Sequence, residues 1–136
     1  MEQTLILIKP DAVRRKLAGE IIRRIESRGL DIIALKMLTP SRELAEQHYA
    51  VHRGKDFFEP TVEFITSGPV VAMVVEGENA IQLMRNMMGA TNPLNAAPGT
   101  IRGDLTTSMR ENLIHGSDSP ENANIEIKLW FDESGQ

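Results

Sequence analysis

Thr4-Leu5-Ile6-Leu7-Ile8-Lys9-Pro10 is the stretch on which the fold turns. A short, continuous apolar run with no polar alternation predicts a buried central strand. Pro10, which lacks an N–H, stops it. Working outward, Ala18, Ile21, Ile22 and Ile25 fall at helical spacing, with Gly29 as a C-terminal cap. Asp31 to Leu38 reads as a second strand, ended by Thr39-Pro40-Ser41. Ser41 is a good N-cap for a helix running to about Tyr49. A short amphipathic helix follows within residues 55–67, broken or begun by Pro60.

Gly68-Pro69 is a turn, and Val70 to Val75 reads as the clearest strand of the chain. Residues 77–88 read as a helix with Ile81, Met84 and Met88 on one face and Gly89 beyond its end. Residues 90–111 read as one long polar loop, and a loop that long inside a compact domain is usually functional. Leu113-Ile114 makes a short last strand feeding His115. Ser119-Pro120-Glu121 then starts a helix to about Phe131, with the tail 132–136 expected to fray. Strands alternating with helices predict an α/β or α+β sandwich, with helices packed on one sheet. Two short helices between the second and third strands suit a split β-α-β arrangement of the ferredoxin-like kind, although periodicity alone also permits a small parallel sheet.

The chain has 136 residues, the size of one domain with its own core, and no internal repeat or linker divides it. It has no cysteine, so disulfides and thiolate zinc sites are excluded. The N-terminus does not read as a signal peptide and no apolar stretch reaches membrane-spanning length, which predicts a cytoplasmic protein. A formal charge of −4 argues against a general nucleic-acid binder. Arg14-Arg15-Lys16 reads as a solvated run.

There is no P-loop, no dinucleotide-binding glycine pattern and no recognisable metal-ligand spacing, so a bound phosphate would have to be held by side chains. His115 stands between a short apolar run and Gly116-Ser117-Asp118. Imidazole exchanges protons or groups near neutral pH, the glycine permits close approach, and Asn112, Ser117 and Asp118 can orient the ring and a ligand. Lys9, at the end of the first strand, reads as a pocket cation or as a lysine snorkelling at a sheet edge.

Arg85 lies about 40° from Ile81 on a helical projection, at the margin of the apolar stripe, where it could grip phosphate or pack its stem on the sheet. Arg102, in the long polar loop, has a salt bridge to Asp104 or another acid as its simplest explanation. Glu126 falls about 60° from Ala123, at the edge of the buried face of the last helix, within reach of His115. A carboxylate on one ring nitrogen would fix the tautomer and free the other to attack. His48 and His52, four apart, lack a third metal ligand and read as a solvated helix face. Phe57-Phe58 reads as core, with one ring free to line a pocket mouth.

Seven ordered segments carry a resemblance. They are Ile8-Lys9-Pro10-Asp11-Ala12-Val13, His48-Tyr49, Phe57-Phe58, Thr66-Ser67-Gly68-Pro69-Val70-Val71, Met88-Gly89-Ala90-Thr91-Asn92-Pro93, Gly99-Thr100-Ile101-Arg102-Gly103-Asp104, and Asn112-Leu113-Ile114-His115-Gly116-Ser117-Asp118-Ser119. Over essentially its whole length the chain resembles the nucleoside diphosphate kinases, and the last segment is similar to their active-site signature. The resemblance implies a ferredoxin-like α+β fold, a four-stranded antiparallel sheet covered by helices, and a single domain over residues 1–136. It implies ping-pong transfer of a γ-phosphate from a nucleoside triphosphate to a diphosphate, tolerant of base and sugar.

In that scheme His115 becomes a phosphohistidine, Glu126 and Ser117 orient it, and Tyr49 lies close to the transferred group. Lys9, Arg85, Thr91 and Arg102 clamp phosphates, Asn112 with Lys9 contacts the sugar, and Phe57 stacks on the base. Mg2+ rides on the phosphates with Asp118 nearby through water. The resemblance also implies a homo-oligomer, hexamer before tetramer, with the loop around Pro93 at a trimer interface. Ala12, Asp56, Thr61 and Leu105 depart from the family pattern. The competing expectation is a catalytically idle ferredoxin-like module, regulatory or nucleic-acid-binding; it predicts tight oligonucleotide binding and no phosphate exchange.

Overall fold

The structure, a computed structural model, describes residues 1–131. The opening run forms β1 (Glu2–Ile8), in which every residue from Thr4 onward is buried. It pairs antiparallel with β3 (Val70–Gly77) on one side and β4 (Ile114–Gly116) on the other. Strand β2 (Asp31–Leu38) borders β3, also antiparallel, giving the order β2-β3-β1-β4. This is the split β-α-β sheet of the ferredoxin-like fold, and the parallel alternative left open by periodicity is excluded.

Because β1 is apolar at successive positions, it feeds both faces of the sheet. Ile6 and Ile8 join Met73 and Val75 under α2 (Ala18–Ser27) and α5 (Ala80–Met88), with Ile21, Ile25, Met84 and Met88 fully or almost fully buried. Leu5 and Leu7 join Val70 and Ala72 on the other face, under α3 (Arg42–His48), α4 (Phe58–Ile65) and α7 (Pro120–Phe131), where Trp130 is 2 % exposed. Ser41 caps α3 by accepting the Leu44 N–H at 3.1 Å, as its sequence position predicts.

The elements differ from expectation in four places, the first being the last strand, which is β4 (Ile114–Gly116): it takes in His115 and leaves Leu113, at positive φ, outside it. Pro10 does not only stop β1: its fixed φ suits the first helical position, and α1 (Pro10–Arg14) begins there. Strand β3 runs on to Gly77, so α5 starts at Ala80 rather than at residue 77. The long polar loop contains a one-turn helix, α6 (Ile101–Leu105), capped by Thr100, whose hydroxyl accepts the Gly103 N–H at 2.9 Å. Five residues are too few to show a helical apolar period, so only the cap could have signalled it. The expected fraying of the tail lies outside the described residues. Arg14, Arg15 and Lys16 are exposed, as a solvated run should be. Among the described residues no helix is long and apolar enough to cross a membrane.

Candidate active site

The sheet register aims the key histidine. His115 pairs with Leu7 across β4 and β1, so its ring emerges on the face packed by α3 and α7. There Nε2 lies 3.0 Å from Glu126 Oε1. The same carboxylate oxygen accepts the Ser117 hydroxyl at 2.7 Å, and Ser117 Oγ in turn accepts the Leu5 N–H at 3.1 Å. Since Ser117 Oγ already accepts from the backbone, its own proton points at Glu126. The carboxylate is then an acceptor towards both neighbours, which places the His115 proton on Nε2 and leaves Nδ1 with its lone pair. Nδ1 makes no hydrogen bond among the described residues.

Gly116, next in sequence, is needed for close approach, but to the core: a Cβ there would lie 2.6 Å from Met88 Sδ and 3.2 Å from Ile6 Cδ1. Its carbonyl accepts Arg85 Nη1 at 3.2 Å, which draws that exposed guanidinium from the margin of α5 to the histidine.

His115 opens into a cavity of about 340 Å³ lined by Lys9, Tyr49, Arg85, Thr91, Arg102, Asn112, Asp118 and Glu126 among others. A second cavity of about 610 Å³ shares Lys9, Tyr49, Thr91 and Asn112 and continues outward to Phe57, Thr61 and Phe64. Phe58 is core at 8 % exposure, whereas Phe57 stands 46 % exposed at the mouth. The two rings divide the core and pocket readings between them. Ser117 lies beneath the floor, fully buried.

Three cations converge on the inner cavity. Lys9 Nζ donates to Asn112 Oδ1 at 2.9 Å, and burial, with Arg102 nearby, lowers its pKa to about 8. The salt bridge expected between Arg102 and Asp104 is absent. Asp104 pairs instead with Arg24 at 3.0 Å, while Arg102 is buried and donates to the carbonyls of Asn112 (3.1 Å), Gly89 (2.9 Å) and Ile114 (2.6 Å). Carbonyl oxygens orient a guanidinium without neutralising it, and burial, with Arg85 next, lowers its pKa to about 10. Such a site stabilises an anion with several oxygens. Burial and the Glu126 charge raise the Tyr49 phenol above its usual range, so it remains a donor at neutral pH. The Asn122 hydrogen bond at 2.6 Å holds the Asp118 carboxyl below its usual range, so it is ionised.

His48 is the neighbour of His115 that the sequence reading misplaced. Its ring is partly buried rather than on a solvated helix face, 4.6 Å from the His115 ring centroid and edge to face with it. Its Nδ1 accepts the Trp130 indole N–H at 3.1 Å. Leu44 and Ala45, four and three residues earlier and both turned inward, carried the signal. His52 is also drawn in, lining both cavities 5.0 Å from the Phe57 ring. An oriented imidazole, three converging cations and an adjoining partly apolar slot with an aromatic mouth can bind a nucleotide and exchange its terminal phosphoryl group.

Comparison with known proteins points the same way. The family model described as nucleoside diphosphate kinase matches residues 2–135. A nucleoside diphosphate kinase of Rubrobacter xylanophilus is 67 % identical over 131 residues, which cover 96 % of this chain and 98 % of the relative. One from Thermomicrobium roseum is 59 % identical, covering 98 % of this chain and 89 % of its own. Among solved structures, an apo nucleoside diphosphate kinase of Encephalitozoon cuniculi superposes with a TM-score of 0.95 at 48 % identity, covering 100 % of this chain and 92 % of that one. The halophilic enzyme of Halobacterium salinarum, in complex with CDP, gives 0.94 at 48 % identity, covering 98 % and 89 %.

Proposed function

The chain belongs to the nucleoside diphosphate kinase family, whose reaction passes phosphate from a nucleoside triphosphate to a nucleoside diphosphate, and from that premise we propose that it works through a covalent intermediate on His115. The observation that carries this reading is the bond between His115 Nε2 and Glu126 Oε1, which turns the opposite nitrogen into a nucleophile. Nδ1 attacks the γ-phosphorus in line; the N–P bond forms as the bond to the bridging oxygen breaks, and the nucleoside diphosphate leaves with that electron pair. A second diphosphate then attacks the phosphohistidine with a terminal oxygen and frees the ring. No proton need leave Nε2, so Glu126 stabilises the positive charge that grows on the imidazole as Nδ1 attacks and that is lost again on the return transfer.

Lys9, Arg85 and Arg102 hold the phosphate oxygens, with the Thr91 and Tyr49 hydroxyls as further donors. Asn112 and Lys9 meet the sugar. Phe57 stacks on the base, and a stacking contact reads no hydrogen-bonding edge, which suits broad base tolerance. An ionised Asp118 on the cavity wall fits a hydrated divalent cation, and Mg2+ is the ion we assign. When bound it would neutralise phosphate charge. Residues 1–136 act as one catalytic domain in this reading. The catalytically idle module is disfavoured by the family match and by the assembled site.

The functional form is a homo-oligomer, with a hexamer favoured over a tetramer. Edge strand β2 exposes Ile33, Leu35 and Met37 at 50 %, 51 % and 60 %, and Leu94, beside Pro93, is 91 % exposed. Sedimentation at a tetramer mass would refute the hexamer. For the reaction, labelled ATP should leave an acid-labile, alkali-stable phosphate on the protein, and a second nucleoside diphosphate should remove it. A His115→Ala protein that labels as well as the wild type would sink the mechanism.

A further inference from the structure

Leu113 is fully buried with φ at +77°, in the left-handed region that a bulky side chain rarely enters. The Ile114 N–H donates to Asn112 O at 2.9 Å, which closes a γ-turn with Leu113 at its apex. The positive-φ form of that turn is rare and strained, and such backbone persists only where its surroundings over-determine it. Both polar backbone groups of Leu113 are held from one place, the junction of β1 and α1. The Lys9 N–H donates to Leu113 O at 2.9 Å, and the Leu113 N–H donates to Asp11 Oδ2 at 3.1 Å.

Asp11 is 1 % exposed, and its Oδ1 is buried with no partner among the described residues. Burial pushes its carboxyl above the ordinary range. Keeping a carboxyl in such a place is unfavourable, and an apolar residue would pack there at less cost. What the carboxyl does hold is the strained turn, and the turn lies inside the site. Asn112, before the apex, is gripped by Lys9 Nζ; the carbonyls of Asn112 and Ile114, on either side, take two of the three Arg102 bonds; His115 follows at once.

We infer that Asp11 is a positioning residue for phosphoryl transfer, which fixes the Leu113 turn and thereby sets Asn112, Arg102 and His115 relative to one another. The inference rests on the reaction proposed above and adds a residue that touches neither nucleotide nor phosphate.

Two variants separate positioning from mere support. Asp11→Leu fills the same space but cannot accept the Leu113 N–H, whereas Asp11→Asn keeps an oxygen for it. Single-turnover labelling with saturating ATP gives an amplitude, which counts competent sites, and a first-order rate for those sites. Asp11→Leu should transfer phosphate about 10-fold or more slowly per competent site, since small misplacements of reacting groups have large effects on rate. Asp11→Asn should stay within about 3-fold of wild type by the same logic. Asp11→Ala serves in the same comparison if the leucine variant does not fold.

A wild-type rate in Asp11→Leu, a loss of amplitude with the rate unchanged, or an asparagine variant as slow as the leucine one would overturn the inference. Failure of the wild type itself to pass label to a second diphosphate would instead defeat the reaction assignment.

Discussion

The indole N–H of Trp130 donates to Nδ1 of His48 at 3.1 Å, and this bond decides what His48 can do beside His115. With Nδ1 occupied as an acceptor, the ring of a neutral His48 carries its proton on Nε2. His48, His115 and Glu126 bring candidate ligand atoms within 4.8 Å of one another, the outline of a metal site. Coordination through Nε2 would drive the proton to Nδ1, where it would face the Trp130 N–H donor to donor. The arrangement therefore supplies a fixed N–H donor, not a ligand. Burial, with the neighbouring His115 next, pulls the His48 pKa well below its ordinary value. Nitrogen-15 spectra should show an Nε2-protonated, non-titrating His48 from about pH 6 to about pH 8. A ring that gains a proton in that window would contradict this account.

Glu126→Gln keeps the size of the side chain and exchanges an acceptor pair for an amide. If the amide N–H turns to His115 Nε2, the ring proton moves to Nδ1, the atom that attacks in the proposed mechanism. Transfer should fall by about 100-fold or more, in the range that misdirected acid–base partners produce. Ser117→Ala should do less to transfer and more to the fold, because it strands the Leu5 N–H in the core at roughly 1–3 kcal/mol. Rapid-quench rates and thermal melts on the two variants would separate these effects. Equal losses of stability with equal rates would show that the chain from Leu5 through Ser117 to Glu126 has no directional role.

The strands were legible wherever burial is uniform or alternates over several residues, as in Thr4 to Ile8 and Val70 to Val75. The γ-turn at Leu113 was not, since nothing in the run Asn112-Leu113-Ile114 departs from strand chemistry and its cause lies 102 residues away at Asp11. Glu126 and Arg85 could be found because marginal positions on helical faces are a local property. Arg102 could be found only as a candidate: its partners are backbone carbonyls from three segments, which carry no side-chain signature. The role of His48 was hidden because its partner Trp130 is 82 residues distant and was legible only as core.

Lys9 sets a limit on binding in alkali. Its pKa of about 8 lies below the ordinary lysine value, so the protein releases this proton as pH rises through about 8. Phosphate favours the charged form, hence nucleotide affinity should be full below that pH and decline above it, by at most about 10-fold per pH unit. For folding the sign is opposite. Between about 8 and the ordinary lysine value of 10.5 the unfolded chain binds the extra proton, so this group makes the protein relatively more stable as pH rises across that window. Calorimetric titration with a nucleoside diphosphate at several pH values reads the first effect, and the Lys9→Met protein should lose the alkaline decline.

Arg102 joins the fold to the cavity, and under the proposed function to the phosphates. Removing its guanidinium leaves the carbonyls of Gly89, Asn112 and Ile114 without that donor, and each buried unpaired group costs about 1–3 kcal/mol. Arg102→Met should therefore melt markedly earlier as well as bind phosphate more weakly. Arg102→Lys should recover only part of either, because an ammonium cannot reproduce the planar fork. A variant with wild-type melting and impaired binding would show that the three carbonyl bonds are incidental to stability.

Phe57 offers the reverse case, a ring that under the proposed function serves the ligand and not the fold. It is 46 % exposed, with His52 on one side and Lys55 Nζ 5.7 Å from its centroid, whereas adjacent Phe58 is 8 % exposed in the core. Loss of stacking is worth about 1–3 kcal/mol per base, so Phe57→Ala should raise KM roughly 5- to 160-fold for purine and pyrimidine nucleotides alike. Its melting temperature should barely move. Phe58→Ala should instead destabilise the protein by about 3–5 kcal/mol while leaving KM of the remaining folded enzyme nearly unchanged. Steady-state kinetics with ADP, GDP and CDP, set beside melts of both variants, test the pair. A Phe57 effect confined to one base would mean that the slot reads an edge as well as a face.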